Sequence, residues 1–156
     1  MIASKIIRRL GFSLWILCAV ALGVEAQTKK PGVQVELSKN DDSRLHVAIR
    51  SLASAPAEIF KLDLPWEQRD RIILTAVTTS GIPVPLEALA GDPLLGSITI
   101  DPGQSTSGEI DLHTVFKGFD EVRKESDVIL FWAYRSPDGL NLPKWSGGWI
   151  LIPRKQ

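Results

Sequence analysis

The sequence predicts an all-β domain, folded as an antiparallel sandwich of about seven or eight short strands. Apolar and polar residues alternate with a period of two in several short runs, turn signals separate these runs, and no long amphipathic helix is evident. All ten prolines fall outside the runs or at their edges, as expected because proline cannot donate to a sheet ladder. A parallel α/β sheet would need crossover helices, so the pattern favours antiparallel pairing.

The first predicted elements form a hairpin. Residues 33–37 alternate apolar and polar side chains, residues 39–43 are rich in Asn and Asp, and residues 45–49 alternate again. Two alternating runs joined by such a cluster predict two antiparallel strands and a turn. A third strand is predicted over residues 58–64, and a β-branched run predicts a fourth over residues 72–79.

The middle of the chain mixes turn signals with short strands. Residues 81–96 contain several Pro and Gly residues and are predicted to form a long loop, with one or two helical turns possible after Pro85. Short strands are predicted over residues 97–100 and 107–112. The segment 101–104, Asp-Pro-Gly-Gln, predicts the turn between them.

The last third of the sequence contains its strongest strand signal. Residues 113–126 mix apolar and charged side chains, which predicts a short helix or irregular cover with the charges of residues 121–125 on a solvated face. Residues 127–135 are apolar at both parities, so this strand is central and covered on both faces, or one of its faces meets a partner. A turn is predicted at residues 136–139 and the last strand at residues 148–152.

One segment carries a resemblance to a known group of folds. The run Ile98-x-Ile100-x-Pro102-Gly103-Gln104, followed by Ile110-Asp111-Leu112, resembles a segment of bacterial secreted immunoglobulin-like modules. In those modules the segment turns one strand into the next, and a later aromatic strand completes the sheet. The resemblance covers residues 97–135, implies an immunoglobulin-like sandwich and transfers no functional residues. The chain lacks the cysteine pair of true immunoglobulin domains.

The N-terminus has the organisation of a secretory signal peptide. The first nine residues carry three cations and no acidic residue, residues 10–24 are apolar and uncharged, and Val24-Glu25-Ala26 precedes a plausible cut before Gln27. The apolar run is shorter than the roughly 20 residues of a membrane span, which favours cleavage over an uncleaved anchor.

The predicted cut defines the domain organisation. Residues 1–26 form a signal peptide, residues 27–32 a loose leader and residues 33–156 a single β-sandwich domain. We therefore expect an exported protein that is periplasmic or secreted, with no membrane span after cleavage.

Composition excludes several classes of protein. Lys plus Arg and Asp plus Glu each number 18, so the formal net charge is zero, which argues against a nucleic-acid-binding protein. The hydrophobic fraction of 44% and the charged fraction of 23% are typical of a globular domain. The single cysteine, Cys18, lies in the predicted signal peptide, so the mature chain has no disulfide or thiolate site.

No convergent set of catalytic groups or metal ligands is evident in the sequence. His46 falls on the polar face of the second strand, and His113 could share a strand face with Asp111, but no third ligand stands at a supporting spacing. The sequence has neither a Gly-x-Ser-x-Gly elbow nor a phosphate-binding loop. Asp41 and Asp42 follow Asn40 directly, without the alternating spacing of a calcium loop. We therefore expect no enzymatic activity, no cofactor and no metal.

The tryptophans are the strongest candidates for a binding surface. Trp66 and Trp132 survive the predicted cleavage, and Trp132 is expected to be buried in the middle of a strand. Trp145 and Trp149 flank Ser-Gly-Gly, and neighbouring glycines leave an aromatic ring open to a flat ligand such as a sugar or a peptide. We predict Trp145 and Trp149 as candidate binding residues, with Trp145 in a loop. The alternative is that they close one end of the sandwich.

These observations predict an exported, non-catalytic binding or accessory module of the cell envelope, with a protein or carbohydrate partner. Two alternatives remain open. The first is an inhibitor or chaperone-like protein that presents a loop, at residues 81–96 or 136–147. The second, less favoured, is a small hydrolase, for which no nucleophile and base can be paired.

Overall fold

Antiparallel strands make up most of the domain. A computed structural model describes residues 32–39, 41–68, 71–87 and 95–155. The predicted signal peptide and nearly all of the predicted leader lie outside these described residues. Within them every strand pairing is antiparallel, which confirms the prediction of a mainly antiparallel β domain.

The described residues contain nine strands and three short helices. The strands are β1 (Val33–Leu37), β2 (Arg44–Arg50), β3 (Ala57–Phe60), β4 (Ile72–Thr78), β5 (Pro83–Val84), β6 (Ser97–Ile100), β7 (Ser105–Asp111), β8 (Val128–Arg135) and β9 (Trp145–Ile152). The helices are a 3-10 turn (Lys61–Asp63), α1 (Leu112–Val115) and α2 (Phe119–Glu125). None of the helices in this part of the chain has the length and apolar character that a membrane span requires.

The strands form three sheets. One has the order β1-β2-β7, a second the order β5-β4-β8-β9, and β3 and β6 form a separate two-stranded ribbon. The predicted hairpin is present, with Val35 opposite Val47 in the β1–β2 register.

The two larger sheets bury their apolar faces in one hydrophobic cluster. Val35, Val47 and Ile110 of the three-stranded sheet join Leu74, Leu130 and Ile150 of the four-stranded sheet in this cluster. A second cluster lies beside the β3–β6 ribbon, and its members include Ile49, Ile59, Ile100 and Tyr134. The alternation of the strands therefore sends every second side chain towards the core, although β7 contributes only Ile110 to the clusters.

Several predicted boundaries differ from those in the structure. The third strand ends at Phe60, where the chain enters the 3-10 turn and then buries Leu64. The buried Tyr134 hydroxyl donates to the backbone carbonyl of Asp63 at 3.0 Å and holds this turn against the core. Burial raises the pKa of the Tyr134 phenol, so it remains a protonated donor.

The predicted loop over residues 81–96 contains a short edge strand. Pro83 and Val84 form β5, which pairs with Val77 and Ala76 of β4, while residues 88–94 of this loop lie outside the described residues. An edge position suits Pro83 because its missing N–H then removes no ladder bond.

Trp66 covers a glycine on the inner side of β7. A Cβ atom at Gly108 would overlap the indole ring of Trp66. The absence of a side chain at Gly108 therefore lets Trp66 lie against the sheet, where it packs on both hydrophobic clusters.

Replacing Gly108 with alanine should lower the free energy of unfolding by about 1–3 kcal/mol, because overpacking forces a large side chain out of place. Ser107→Ala is the matched control: Ser107 is the neighbouring residue, is exposed, and should change stability by less than about 0.5 kcal/mol. Urea denaturation of both variants tests the expectation. Equal stability of Gly108→Ala and the wild type would show that Trp66 moves freely.

A buried arginine joins three distant segments. The Arg123 side chain is fully buried, and its guanidinium binds both carboxylate oxygens of Asp42, through Nη1 at 3.0 Å and through Nη2. Nε and Nη2 also donate to the Pro153 carbonyl at 3.2 and 2.9 Å. The guanidinium lies 5.8 Å from the centre of the Phe119 ring. Arg123 thus ties α2 to the β1–β2 turn and to the segment after β9, so the prediction that it lies on a solvated face is wrong.

Candidate functional site

The four-stranded sheet has a second face, turned away from the core. On β8, Val128, Leu130 and Tyr134 are buried on the core side, Trp132 points the same way, and Ile129, Phe131, Ala133 and Arg135 point to the opposite side. We call this opposite side the outer face. It consists of Ile73, Thr75, Val77, Ile129, Phe131, Ala133, Trp145, Gly147, Trp149 and Leu151.

Five large apolar side chains of the outer face are exposed to solvent. The exposed fractions are 56% for Ile73, 46% for Phe131 and 48% for each of Trp145, Trp149 and Leu151. Aromatic side chains each offer about 150–250 Å², so the three half-exposed aromatic rings, together with the smaller Ile73 and Leu151, expose on the order of 500 Å². The largest apolar patch on a typical soluble monomer measures about 300–600 Å² and is often functional, so this patch is a candidate interaction site.

The strand register arranges these residues in rows across the sheet. Phe131 lies opposite Trp149 on one side and Thr75 on the other. A second row contains Val77, Ile129 and Leu151, and a third contains Ile73, Ala133 and Gly147. Neighbouring strands lie about 4.8 Å apart, so the side chains within a row are adjacent and form one surface.

Both tryptophans predicted as binding residues lie on the outer face. The prediction that Trp145 stands in a loop is wrong, because β9 begins at Trp145, which pairs with Arg135. Trp145 and Trp149 are four residues apart on one strand, hence about 13 Å apart. Gly147 lies between them on the same face and leaves a gap between the two rings.

The two glycines of β9 have different roles. Gly148 points to the core side, where a Cβ atom would lie 3.2 Å from Nε1 of Trp132, so this glycine makes room for the Trp132 ring. Gly147 points outward, and a Cβ there would lie 2.9 Å from the Trp132 carbonyl oxygen. Only Gly147 therefore shapes the outer face.

Ile73, Phe131 and Leu151 also belong to this surface but were not predicted from the sequence. For Phe131 a signal was available, since residues 127–135 are apolar at both parities and one alternative was a face that meets a partner. For Ile73 and Leu151 the signal is weaker, because each lies in a strand whose apolar residues could equally serve the core.

The outer face has few polar groups. Within these ten residues Thr75 has the only polar side chain, and Arg135, which pairs with Trp145, adds a charged side chain at the end of the face. Arg135 stands at one end of β8 and is exposed. Asp127 precedes the other end, where its carboxylate accepts a hydrogen bond from the Arg154 backbone N–H at 2.7 Å.

The outward side of the three-stranded sheet is different. It carries Gln34, Glu36, Arg44, His46 and Glu109, and the Arg44 and Glu109 side chains pair at 3.3 Å. A solvated sheet face of this kind is the normal state of an antiparallel sheet with one buried side. The apolar outer face of the other sheet is therefore the exception in this molecule.

The histidines do not combine with other groups into a metal centre in the described residues. Asp111 accepts a hydrogen bond from the His113 backbone N–H at 2.9 Å and caps α1, so the two do not share a strand face as predicted. His113 Nδ1 instead lies 3.4 Å from the Asp120 carboxylate. No group of three or more His, Cys, Asp or Glu side chains with the geometry of a metal site occurs in this part of the chain.

No family model matches this sequence, and no curated protein matches it.

Proposed function

We propose that this chain is an exported, non-catalytic binding module of the cell envelope and that the outer face is its contact surface. The observation that carries the proposal is the cluster of five half-exposed apolar side chains, three of them aromatic, on one flat sheet. Aromatic side chains are enriched at the centres of protein interfaces.

The proposed fold is an immunoglobulin-like sandwich. The pairing of β1, β2 and β7 corresponds to strands A, B and E of such a sandwich, and β5-β4-β8-β9 corresponds to C′-C-F-G. The shared hydrophobic cluster between the two sheets supports this assignment. One element departs from the pattern, because β6, in the position of strand D, pairs with β3.

The proposal of export depends on the N-terminal sequence. Three cations, a charge-free apolar run and a Val-x-Ala ending support cleavage before Gln27. The product would then be periplasmic or secreted.

The chemistry of the outer face favours a protein partner. A carbohydrate site needs several polar groups that fix the orientation of the sugar, and among the described residues this surface offers two, Thr75 and, at its end beside Trp145, Arg135. An apolar protein surface makes no such demand. Carbohydrate is the second candidate, favoured by the two tryptophan rings on one strand.

The loop between β8 and β9 is less suited to a loop-presenting inhibitor. Leu140 is fully buried, and its carbonyl accepts a hydrogen bond from the Leu52 N–H at 3.0 Å. The Ser136 N–H also donates to the Lys144 carbonyl at 3.1 Å. These contacts hold the loop against the domain.

Site-specific photo-crosslinking tests the proposed function. A photoreactive benzoyl-phenylalanine replaces Phe131 in the full coding sequence, and the matched control carries it at Ser107, which is exposed on the three-stranded sheet. We expect a cross-linked protein species in the envelope fraction from position 131 only, with an intact mass showing cleavage before Gln27. Equal cross-linking from both positions would contradict a contact surface at the outer face, and a mass that retains residues 1–26 would contradict cleavage.

A further inference from the structure

We propose that the outer face binds the outer face of a second copy of this chain, forming a two-fold symmetric dimer. This inference depends on the proposed function only in taking the outer face as a contact surface. Three features of the outer face favour a second copy as the partner: its size, the pattern of side chains along it and the charges at its ends.

The outer face approaches half of a stable dimer interface in size. A standard interface buries about 800 Å² on each partner. The five exposed side chains supply on the order of 500 Å², and the less exposed Val77, Ile129, Ala133 and Thr75, with the Gly147 backbone, lie among and beside them. Two sheets can meet through such faces at a separation of about 10 Å.

The rows of the outer face are complementary to themselves. In the proposed dimer the two-fold axis lies between the outer faces of the two copies. It runs perpendicular to the strands, directly above the row of Thr75, Phe131 and Trp149. Rotation about it places each strand over its own copy in the opposite direction. The row of Val77, Ile129 and Leu151 then meets the partner's row of Ile73, Ala133 and Gly147.

This exchange matches large side chains with small ones. Leu151 falls over the partner's Gly147, the position without a side chain, and Ile129 falls over the partner's Ala133, while Ile73 meets the similar Val77. Phe131 and Trp149 meet their own copies near the axis, where interfaces concentrate their aromatic anchors.

The charges at the two ends of β8 fit the same arrangement. Arg135 and Asp127 are both four residues from Phe131, on opposite sides of it, and both share its parity. The rotation therefore brings Arg135 towards the partner's Asp127. A two-fold axis parallel to the strands would instead bring the two Arg135 side chains together. Packed sheets cross at about 30°, so the match is closest near the axis, and the long Arg135 side chain can span the offset at the end of β8.

Sedimentation equilibrium of the protein expressed from its complete coding sequence tests the dimer. We expect twice the chain mass, fixed beforehand by intact-mass measurement, at concentrations between about 1 and 100 µM. Phe131→Arg should weaken association at least about 30-fold, the effect of losing one interface hot spot. Ser107→Arg, on the polar face of the other sheet, is the matched control and should leave the dimer unchanged. Urea denaturation shows that each variant is folded.

A charge exchange tests the position of the axis. Arg135→Glu should weaken the dimer, and Asp127→Arg in that background should restore it. Failure of the second change to restore association would overturn this axis. A monomer throughout the concentration range, or a Ser107→Arg variant that dissociates like Phe131→Arg, would overturn the dimer.

The outcomes separate this inference from the proposed function. A purified chain that stays monomeric, but cross-links from position 131 to a different envelope protein, overturns the dimer and leaves the binding module intact. A dimer that depends on Phe131 supports the inference whether or not a further partner is found.

Discussion

Replacing Asp42 with alanine should lower the free energy of unfolding by about 3 kcal/mol, because it leaves the buried Arg123 guanidinium without a counter-charge. Breaking a buried ion pair costs about 3–5 kcal/mol, and the low end applies since the Asp42 side chain is itself 51% exposed. The Pro153 carbonyl remains as an acceptor but carries no full charge. Urea denaturation with linear extrapolation measures the change.

Two controls show whether the cost arises from the orphaned charge. Glu109→Ala also removes a carboxylate from an arginine, but Glu109 and Arg44 are each about half-exposed, so the loss should stay below about 1 kcal/mol. In an Arg123→Met background, Asp42→Ala should cost little, because no buried charge is left behind. If Asp42→Ala still costs about 3 kcal/mol in the Arg123→Met background, the destabilisation arises from the β1–β2 turn and not from the unpaired Arg123 charge.

The Asp42–Arg123 ion pair makes the free energy of unfolding depend on pH. Hydrogen bonding to Arg123, together with its positive charge, holds the pKa of Asp42 below the ordinary value of 3.8 despite partial burial. A carboxylate whose pKa is lowered on folding adds stability above its unfolded pKa and loses it as the pH falls through the folded value. The stability difference between the wild type and Asp42→Ala should therefore be complete above about pH 5 and shrink below about pH 4. A difference that stays constant down to pH 2 would contradict the ion pair.

Replacing Trp132 with alanine should cost about 3–4 kcal/mol, whereas Trp145→Ala should cost less than about 1 kcal/mol. Trp132 is partly buried rather than fully buried as expected, but it points to the core side, packs on both hydrophobic clusters and lies over Gly148. Its removal leaves a cavity that Gly148 cannot fill. Trp145 is about half-exposed on the outer face, so it has little core to support.

Denaturant unfolding at two protein concentrations separates folding from association, because the apparent stability of a dimer depends on protomer concentration. Trp149→Ala provides a comparison, since Trp149 has the same exposure as Trp145 but lies in the central row. A loss for Trp145→Ala as large as that for Trp132→Ala would show that Trp145 belongs to the core.

The strands were predictable from the sequence because alternation and proline placement act locally. Residues 33–37 and 97–100 form strands with the predicted bounds. The start of β9 was not predictable from its own residues, because Ser-Gly-Gly has low strand propensity. Those residues join the sheet because they pair with Trp132, Ala133 and Tyr134 of the strongest strand.

Burial of Arg123 could have been inferred from helical spacing. Phe119, Val122 and Arg123 stand at i, i+3 and i+4, which places them on one stripe of a helix. Phe119 is buried and Val122 packs on the core, so the same face of the helix also buries the Arg123 side chain. The partner, Asp42, is 81 positions away in the chain, and only the folded arrangement reveals it.

The outer face was predictable in part. Trp145 and Trp149 were found because glycines flank them, but the register that unites them with Phe131 and Ile73 depends on strand pairing, which alternation does not determine. The processing of the N-terminus stays a prediction.

Strand β9 has a consequence for the unfolded chain. Trp145–Ile152 contains no charged residue and no proline, it ends in the apolar run Trp-Ile-Leu-Ile, and such segments self-associate when exposed. Pro143 and Lys144 stand before it, and Pro153 and Arg154 stand after it, as residues that block the growth of aggregates do in other proteins. Because the native fold pairs this segment with β8 and buries Ile150 and Ile152, the whole segment becomes exposed only on unfolding, and aggregation on heating should follow the population of unfolded chains. Variants that weaken the core should therefore precipitate in the order in which they lose stability.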